Sequence, residues 1–234
     1  MSALRSIKAR SKANKMTAER KSFDYMNPVV ASGLPRVNIP LVRASTESLK
    51  GFGELVSDYK NHQVEIVTWP TQGWRSIDVD TGDEGGHTDG IFKFWWEGDV
   101  LLGENESVNE SYLLGWSKEP SEAKRDNPKA QRDQLLMWHA NYHPDGAQLF
   151  YPLDGKPFVA AFAKPGDDMT PADWVTFYFD GTHGICIHPG VWHEAIIPLT
   201  DNARFYDKQG KVHARISCDF GKEFGVLLSV PLHE

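Results

Sequence analysis

Residues 139–199 decide the fold prediction, and they read HANYHPDGAQLFYPLDGKPFVAAFAKPGDDMTPADWVTFYFDGTHGICIHPGVWHEAIIPL. Histidine-bearing clusters lie at the two ends of this stretch, about 50 residues apart. In the first cluster His139, Asn141 and His143 stand at alternate positions, and alternate residues of a β-strand point to the same face of a sheet. The second cluster ends in His193. If both ends are strands of one barrel, these side chains point into an interior that normally holds apolar residues or one small ligand.

Short apolar runs separated by Gly, Pro and Asp dominate the chain, which is typical of strands joined by turns. The strand candidates are Val64–Trp69, Ile91–Trp96, Val100–Leu102, Ser111–Trp116, Gln134–Ala140, Gln148–Tyr151, Phe158–Ala163, Gly184–His188, His193–Leu199, Val212–Phe220 and Phe224–Val230. Two short helices are predicted, one beginning near Ser45 and one over Pro171–Tyr178, where Thr170 is the candidate N-cap. Many short strands and two short helices predict an antiparallel all-β sandwich or barrel.

The two histidine clusters resemble the cupin signature, in which a polar-x-His pair precedes a distant Gly…Pro-Gly-x-x-His element. Within the cupins, HPDGAQLFYPLDGKPF at 143–158 and HPGVWH at 188–193 resemble the ureidoglycolate lyase family. The resemblance implies a double-stranded β-helix barrel. It also implies a lyase that splits ureidoglycolate into glyoxylate and urea, a reaction of purine and allantoin nitrogen breakdown, or acts on a closely related small polar acid.

The same resemblance bears on metal binding, because Asn141 stands where a metal-binding cupin usually has His, and Gln148 where it usually has Glu. An amide oxygen is a weak ligand for transition metals. We therefore expect no cofactor, while a divalent metal, if bound, would use His143, Gln148 and His193. The alternatives are a metal-dependent cupin isomerase or oxygenase on a small acid, and a ligand-binding cupin without turnover.

The implied reaction needs two proton transfers. Ureidoglycolate carries a hydroxyl, a carboxylate and a ureido nitrogen on one carbon, so a base must take the hydroxyl proton and an acid must protonate the departing nitrogen. Histidine suits either task, since its pKa is ordinarily near neutrality. His143 and His193 are the predicted acid–base pair, and Gln148 is the predicted catalytic hydrogen-bonding residue. Each also has a structural interpretation, as a turn or core residue.

Other side chains are predicted to hold the substrate. The predicted contacts are Asn141, His139, Lys93 and Trp192. A substrate carboxylate also requires donors, and the sequence leaves Lys93, Arg75, Arg215 and backbone N–H groups open for that role. Trp192 lies next to the catalytic candidate His193, and its position is equally consistent with a role in packing the cavity wall.

Composition excludes several classes of function. The net charge of −7 argues against nucleic acid and anionic membrane surfaces as partners. No apolar run approaches the roughly 20 residues of a membrane-spanning helix. Cys186 and Cys218 are the only cysteines and lie in strand-like apolar runs, which favours reduced, buried thiols in a cytoplasmic protein. The family resemblance implies a small-molecule substrate and a homodimer.

The N-terminus differs from the body in composition. Residues 1–37 are predicted to be a basic arm followed by a Pro-containing extended strap, because five Lys or Arg residues precede the first acid, Glu19. Organellar targeting is a less favoured interpretation of this composition. Residues 38–234 are predicted to form a single cupin-like domain.

Overall fold

The structure is a computed structural model that describes residues 23–233, apart from 69, 72, 83 and 213. The basic part of the predicted N-terminal arm, residues 1–22, lies outside the described residues. The described strands are β1 Arg36–Asn38, β2 Leu41–Arg43, β3 Gly53–Val56, β4 Glu84–Glu97, β5 Val100–Asn105, β6 Glu110–Trp116, β7 Gln134–Met137, β8 His139–Tyr142, β9 Gln148–Pro152, β10 Phe158–Ala163, β11 Val175–Phe179, β12 Gly184–Ile187, β13 Trp192–His193, β14 Ile197–Pro198, β15 Asn202–Val212, β16 Ile216–Asp219 and β17 Leu227–Pro231. The helical elements are a 3-10 turn at Pro171–Asp173 and helix α1 at Phe220–Phe224.

These strands form two sheets. The larger sheet has the order β1-β17-β7-β6-β5-β4-β15-β9-β12-β3, and the smaller has the order β16-β8-β13-β10-β11-β2, with β14 also paired to β10. The pairs β1–β17 and β2–β11 are parallel, and the other described pairs are antiparallel. The predicted all-β, cupin-like fold is confirmed, although the two sheets stay open and do not close into one continuous barrel.

The main core lies between the sheets and is rich in aromatic rings. All six residues of β10 are buried, because the strand is hydrogen-bonded on one side to β11 and on the other to β13 and β14. Phe158 stacks on Phe179 at a ring-centroid distance of 4.5 Å and meets Phe205 edge-on at 5.0 Å. Burying one such ring stabilises the fold by about 1.5–3 kcal/mol, so these rings hold the two sheets together.

The first predicted helix is wrong, and the second is right only at its start. The segment that begins at Ser45 forms hydrogen-bonded turns and ends at Gly51, whose φ of +85° is a conformation that favours glycine. At Thr170, the backbone N–H and the hydroxyl both donate to the Asp173 carboxylate, but the 3-10 turn stops there. The following VTFYF run is β11 instead, since its β-branched and aromatic residues pair with β10.

The strand predictions omit β1, β2 and β3, and they fail at other places as well. Residues 64–68 form only a single bridge between Ile66 and Gly146. In contrast, β15 is central to the larger sheet but absent from the candidates, because its sequence NARFYDKQGKV looks polar. Its inward positions include the fully buried Asp207 and the buried Gln209, which disguise the apolar alternation that marks a strand.

The strap before the body is hydrogen-bonded to the larger sheet. The Tyr25 carbonyl accepts a hydrogen bond from the Leu113 N–H at 2.9 Å, and the Pro35 carbonyl accepts one from Leu227 N–H at 2.9 Å. Strand β1 crosses the predicted boundary between residues 37 and 38 and pairs with β17. The described part of the strap is thus hydrogen-bonded into the sheet structure.

Candidate active site

A cavity of about 490 Å³ is lined by residues of both sheets. Its polar and ionisable lining residues include Tyr25, Asn105, Glu110, His139, Asn141, His143, Gln148, His193, Glu194, Gln209, Lys211 and Arg215. The volume falls within the range of small-molecule sites. Most of these side chains come from strands, whose alternation turns one face of each strand inward.

The two predicted catalytic histidines face each other in this cavity. The ring centroids of His143 and His193 are 5.1 Å apart, and both side chains are almost fully buried. The pairing of β8 with β13, which sets Asn141 opposite His193, brings the two clusters together. The geometric prediction that these histidines share one cavity is therefore confirmed, while their catalytic roles stay predictions.

A chain of buried polar groups holds His193. The ring Nε2 lies 3.2 Å from Gln148 Oε1, and Gln148 Nε2 donates to Asp207 Oδ1 at 2.8 Å. The other Asp207 oxygen accepts from Asn105 Nδ2 at 3.1 Å. On its far side, His193 Nδ1 lies 2.8 Å from the Val191 carbonyl oxygen. Asp207 was not among the predicted site residues, because nothing in the sequence marked β15 as a strand.

This arrangement ties the protonation of His193 to that of Asp207. Both ring nitrogens of His193 face oxygen atoms, yet a neutral imidazole has only one N–H to donate. Two arrangements satisfy every contact. In the first, His193 is an imidazolium that donates to Gln148, whose amide N–H donates to ionised Asp207. In the second, Asp207 is protonated, the Gln148 amide is turned over, and a neutral His193 accepts from it.

Burial favours the uncharged forms of both His193 and Asp207. Burial lowers the pKa of His193, and the Val191 carbonyl opposes that effect. Burial also raises the pKa of Asp207 to about 6, against the hydrogen bonds from Gln148 and Asn105 that lower it. A state with ionised Asp207 and neutral His193 leaves Gln148 mismatched with one neighbour. The geometry therefore favours one proton shared between Asp207 and His193.

A second pair lies at the other end of the first histidine cluster. His139 Nδ1 is 2.6 Å from Glu194 Oε2, and both residues are buried. The His139 Nε2 atom and the Asn141 Oδ1 atom are buried without a hydrogen-bond partner, and both residues line the cavity. These atoms are therefore available to a bound ligand. Glu194 was missed, although its position directly after His193 was a signal.

Of the three cations that the sequence left open as carboxylate donors, the structure places one at the cavity. Arg215 lines it, with its Nη1 atom 3.3 Å from Glu110 and its guanidinium 4.6 Å from the centroid of the Tyr25 ring. Arg75 is instead paired with Glu223 at 2.8 Å, away from the cavity lining.

Two predicted substrate contacts lie elsewhere in the structure. Lys93 is on the outer face of β4, where its Nζ atom pairs with Glu106 at 2.6 Å, because its neighbours Phe92 and Phe94 take the inward positions. Trp192 is fully buried behind the wall, and its indole N–H donates to the Gly166 carbonyl at 2.8 Å. Neither residue is part of the cavity lining, so the prediction of direct substrate contact is corrected for both.

The cavity donors do not fit the metal site that a cupin fold can imply. Both ends of the Gln148 amide and both nitrogens of His193 already face protein partners. His143 Nδ1 lies 3.0 Å from the Ala214 carbonyl oxygen. Among the described residues, no three His, Cys, Asp or Glu side chains of this cavity converge closely enough to share an ion. We therefore derive no chemical step through a metal.

The structure thus has an all-β, cupin-like fold around a polar cavity that contains paired histidines and has the size of a small-molecule site. Comparison with known proteins narrows the class of protein: residues 125–219 match the family model described as ureidoglycolate lyase. That segment contains His143, Gln148, His193, Asp207 and Arg215. The family resemblance seen in the sequence is thus confirmed over this part of the chain.

Individual relatives agree with the family match. The chain is 37% identical over 94 residues to a ureidoglycolate lyase of Azotobacter vinelandii, covering 38% of this chain and 55% of that protein. It is 36% identical over 106 residues to a ureidoglycolate lyase of Pseudomonas fluorescens, covering 44% of this chain and 62% of that protein. The match thus spans little more than half the length of these relatives. Strands β1 to β6 and the strap lie outside the family match.

Proposed function

We propose that this protein is a ureidoglycolate lyase, which splits ureidoglycolate into glyoxylate and urea by histidine acid–base chemistry. The observation that carries the proposal is the pair His143 and His193, face to face in a cavity and within the segment that matches the family. Relatives that are 36–37% identical to this chain over 94–106 residues bear the same activity in their names.

In the proposed reaction His143 acts as the base. Its Nδ1–H donates to the Ala214 carbonyl, which fixes the tautomer and leaves the lone pair on Nε2. That lone pair takes the substrate's hydroxyl proton. The O–H electrons then form the C=O bond of glyoxylate, and the bond between this carbon and the ureido nitrogen breaks.

His193 acts as the acid in the same step. In its imidazolium form it gives its Nε2 proton to the departing nitrogen, so that urea leaves neutral. Asp207 acts through Gln148, because it stabilises the charged form of His193. The Gln148 contact at 3.2 Å must open for the transfer, and it is the longer of the two contacts that His193 makes.

The remaining cavity groups suit the rest of the substrate. The Arg215 guanidinium is the proposed partner of the carboxylate, since Arg binds carboxylates through paired donors. The unpartnered Asn141 Oδ1 is the proposed acceptor for a ureido N–H, and His139 Nε2 contacts the same group. This neutral recognition adds no negative charge beside an anionic substrate.

The test is incubation of the purified protein with racemic ureidoglycolate, with glyoxylate and urea measured separately. Equal release of both products, unaffected by a chelator, is the expected result. Activity that disappears on chelation and returns with metal would support the metal-dependent alternative instead. Binding without product release would support the ligand-binding alternative.

Assembly and location form part of the same proposal. The family resemblance supports a homodimer, and two buried cysteines that form no disulfide are consistent with a reducing, cytoplasmic environment. No helix among the described residues has the length and apolar character that a membrane crossing needs. Light scattering at several protein concentrations would test the dimer.

A further inference from the structure

A cluster of metal-type donors lies outside the cavity, at one edge of the larger sheet. Cys186 on β12 stands directly opposite Glu54 on the edge strand β3, and His62 reaches the same point from the loop after β3. The Cys186 Sγ, a ring nitrogen of His62 and a Glu54 carboxylate oxygen all lie within 4.8 Å of one another. Among the described residues, this is the one group of three such donors that is close enough to share an ion.

The His62 and Glu54 side chains lie at ion-pair distance, and this spacing also fits two ligands of one metal ion. The distance from His62 Nε2 to Glu54 Oε1 is 3.3 Å, yet this buried nitrogen makes no hydrogen bond. Nitrogen and oxygen ligands of a tetrahedral zinc ion, each about 2.0–2.1 Å from the metal, are about 3.4 Å apart. The observed spacing therefore matches one edge of a tetrahedral site.

The cluster combines a buried cysteine with two side chains that solvent can reach. Cys186 packs among Val56, Val64 and Leu149, in an apolar cluster separate from the cavity. The Glu54 side chain is 59% exposed and the His62 side chain 20% exposed, so an ion can enter from solvent. The cation that faces the group is Lys208, whose Nζ atom donates to the His62 carbonyl at 3.4 Å.

We propose that Cys186, His62 and Glu54 bind one divalent transition-metal ion of the zinc and cobalt type, with water as the fourth ligand. Thiolate, imidazole and carboxylate together are a donor set that suits these ions. On binding, the Cys186 thiol loses its proton to solvent as the metal–sulfur bond forms. The ion would pin edge strand β3 and the loop after it to β12, which is a stabilising role independent of the proposed lyase reaction.

The state of the thiol makes binding depend on pH. Burial, with the charges of Glu54 and Glu65, raises the pKa of Cys186 to about 12, and Lys208 opposes this shift. The metal must therefore displace the thiol proton, and its apparent affinity should rise with pH.

The experiment is a titration of the chelator-treated full-length protein with Co²⁺, followed by the near-ultraviolet charge-transfer band of thiolate bound to cobalt. One equivalent should produce the band, and Zn²⁺ should abolish it by competition. Cys186→Ser should remove the band, whereas Cys218→Ser, which alters the other buried cysteine, should keep it. Should Cys186→Ser fail to fold by circular dichroism, His62→Gln replaces it and should weaken Co²⁺ binding by at least about tenfold.

A second readout tests the stabilising role. Added Zn²⁺ should raise the unfolding temperature of the wild type and of Cys218→Ser, because a ligand that binds only the folded state stabilises it. The shift should be absent in His62→Gln. No cobalt–thiolate band in the wild type, or a band that persists after loss of Cys186, would overturn the proposal.

Discussion

Asp207→Asn should make the protein more stable at neutral pH and much less active. Asp207 is fully buried, and burial raises its pKa to about 6 from the usual 3.8. When folding raises the pKa of an acid, the protonated form of that acid stabilises the fold. This stabilisation is full at a pH below the pKa of the unfolded state and is lost as the pH rises through the pKa of the folded state. At about 1.36 kcal/mol for each pKa unit, ionised Asp207 lowers the free energy of unfolding by on the order of 3 kcal/mol above pH 6.

An asparagine side chain has the shape of a protonated carboxyl and similar hydrogen-bonding groups, but it does not ionise. Its amide N–H can donate to a turned-over Gln148, and its carbonyl can still accept from Asn105. At pH 8 the variant should gain up to ~3 kcal/mol, which corresponds to roughly 6–12 °C in unfolding temperature for a domain of this size. At pH 4 the gain should vanish, because the wild-type carboxyl is then protonated as well.

The Asp207→Asn substitution should also prevent His193 from acting as the acid. When the introduced asparagine donates to Gln148, the Gln148 amide donates to His193 and holds it neutral, so kcat should fall by about 10²-fold or more. Guanidinium unfolding from pH 4 to pH 8 measures the first effect, and glyoxylate release measures the second. The ¹⁵N shifts of His193 would show loss of the imidazolium form. A variant that keeps both its activity and its pH profile would refute the shared proton, and a variant that is destabilised at pH 8 would refute the cost assigned to ionised Asp207.

Three further predictions test the proposed roles of the cavity residues. His143→Ala and His193→Ala should each keep the fold by circular dichroism and reduce turnover by about 10²–10⁴-fold; near-normal turnover in both would make the histidines structural. Arg215→Ala should raise KM for the anionic substrate, while Lys93→Ala, which removes a cation from the outer face, should leave KM unchanged. Equal effects of these two variants would contradict a local carboxylate contact. Gln148→Glu should weaken substrate binding by charge repulsion and strengthen binding of a divalent cation in the cavity, both measurable by calorimetry; tighter substrate binding without added metal would argue against the neutral role of Gln148.

The sequence predicted those parts of the site that depend on spacing within strands. His143, Gln148 and His193 stand in motifs whose turns and alternation determine which way the side chains point, and the structure brings all three together. The sequence did not predict Asp207, because a buried acid and a buried amide made the central strand β15 look like a surface segment.

Other errors arose because the sequence does not show how elements pack. Lys93 was plausible as a carboxylate partner until the pairing of β4 with β5 and β15 turned it outward. The VTFYF run followed a genuine helix-start signal at Thr170, yet it became a strand because an open edge of β10 was available to it. Tertiary pairing overrode the local signal in that case.

The pairing of β1 with β17 sets a constraint on how this protein can fold during synthesis. The strands that begin at Arg36 and Leu227 lie side by side in the larger sheet, although most of the described chain separates them. Contacts between such distant segments require a large loop to close and form slowly. While the chain is still on the ribosome, β1 has no partner and the edge of β7 that β17 covers is open. Until β17 emerges, these exposed edges are sites where a chaperone could bind or nascent chains could aggregate.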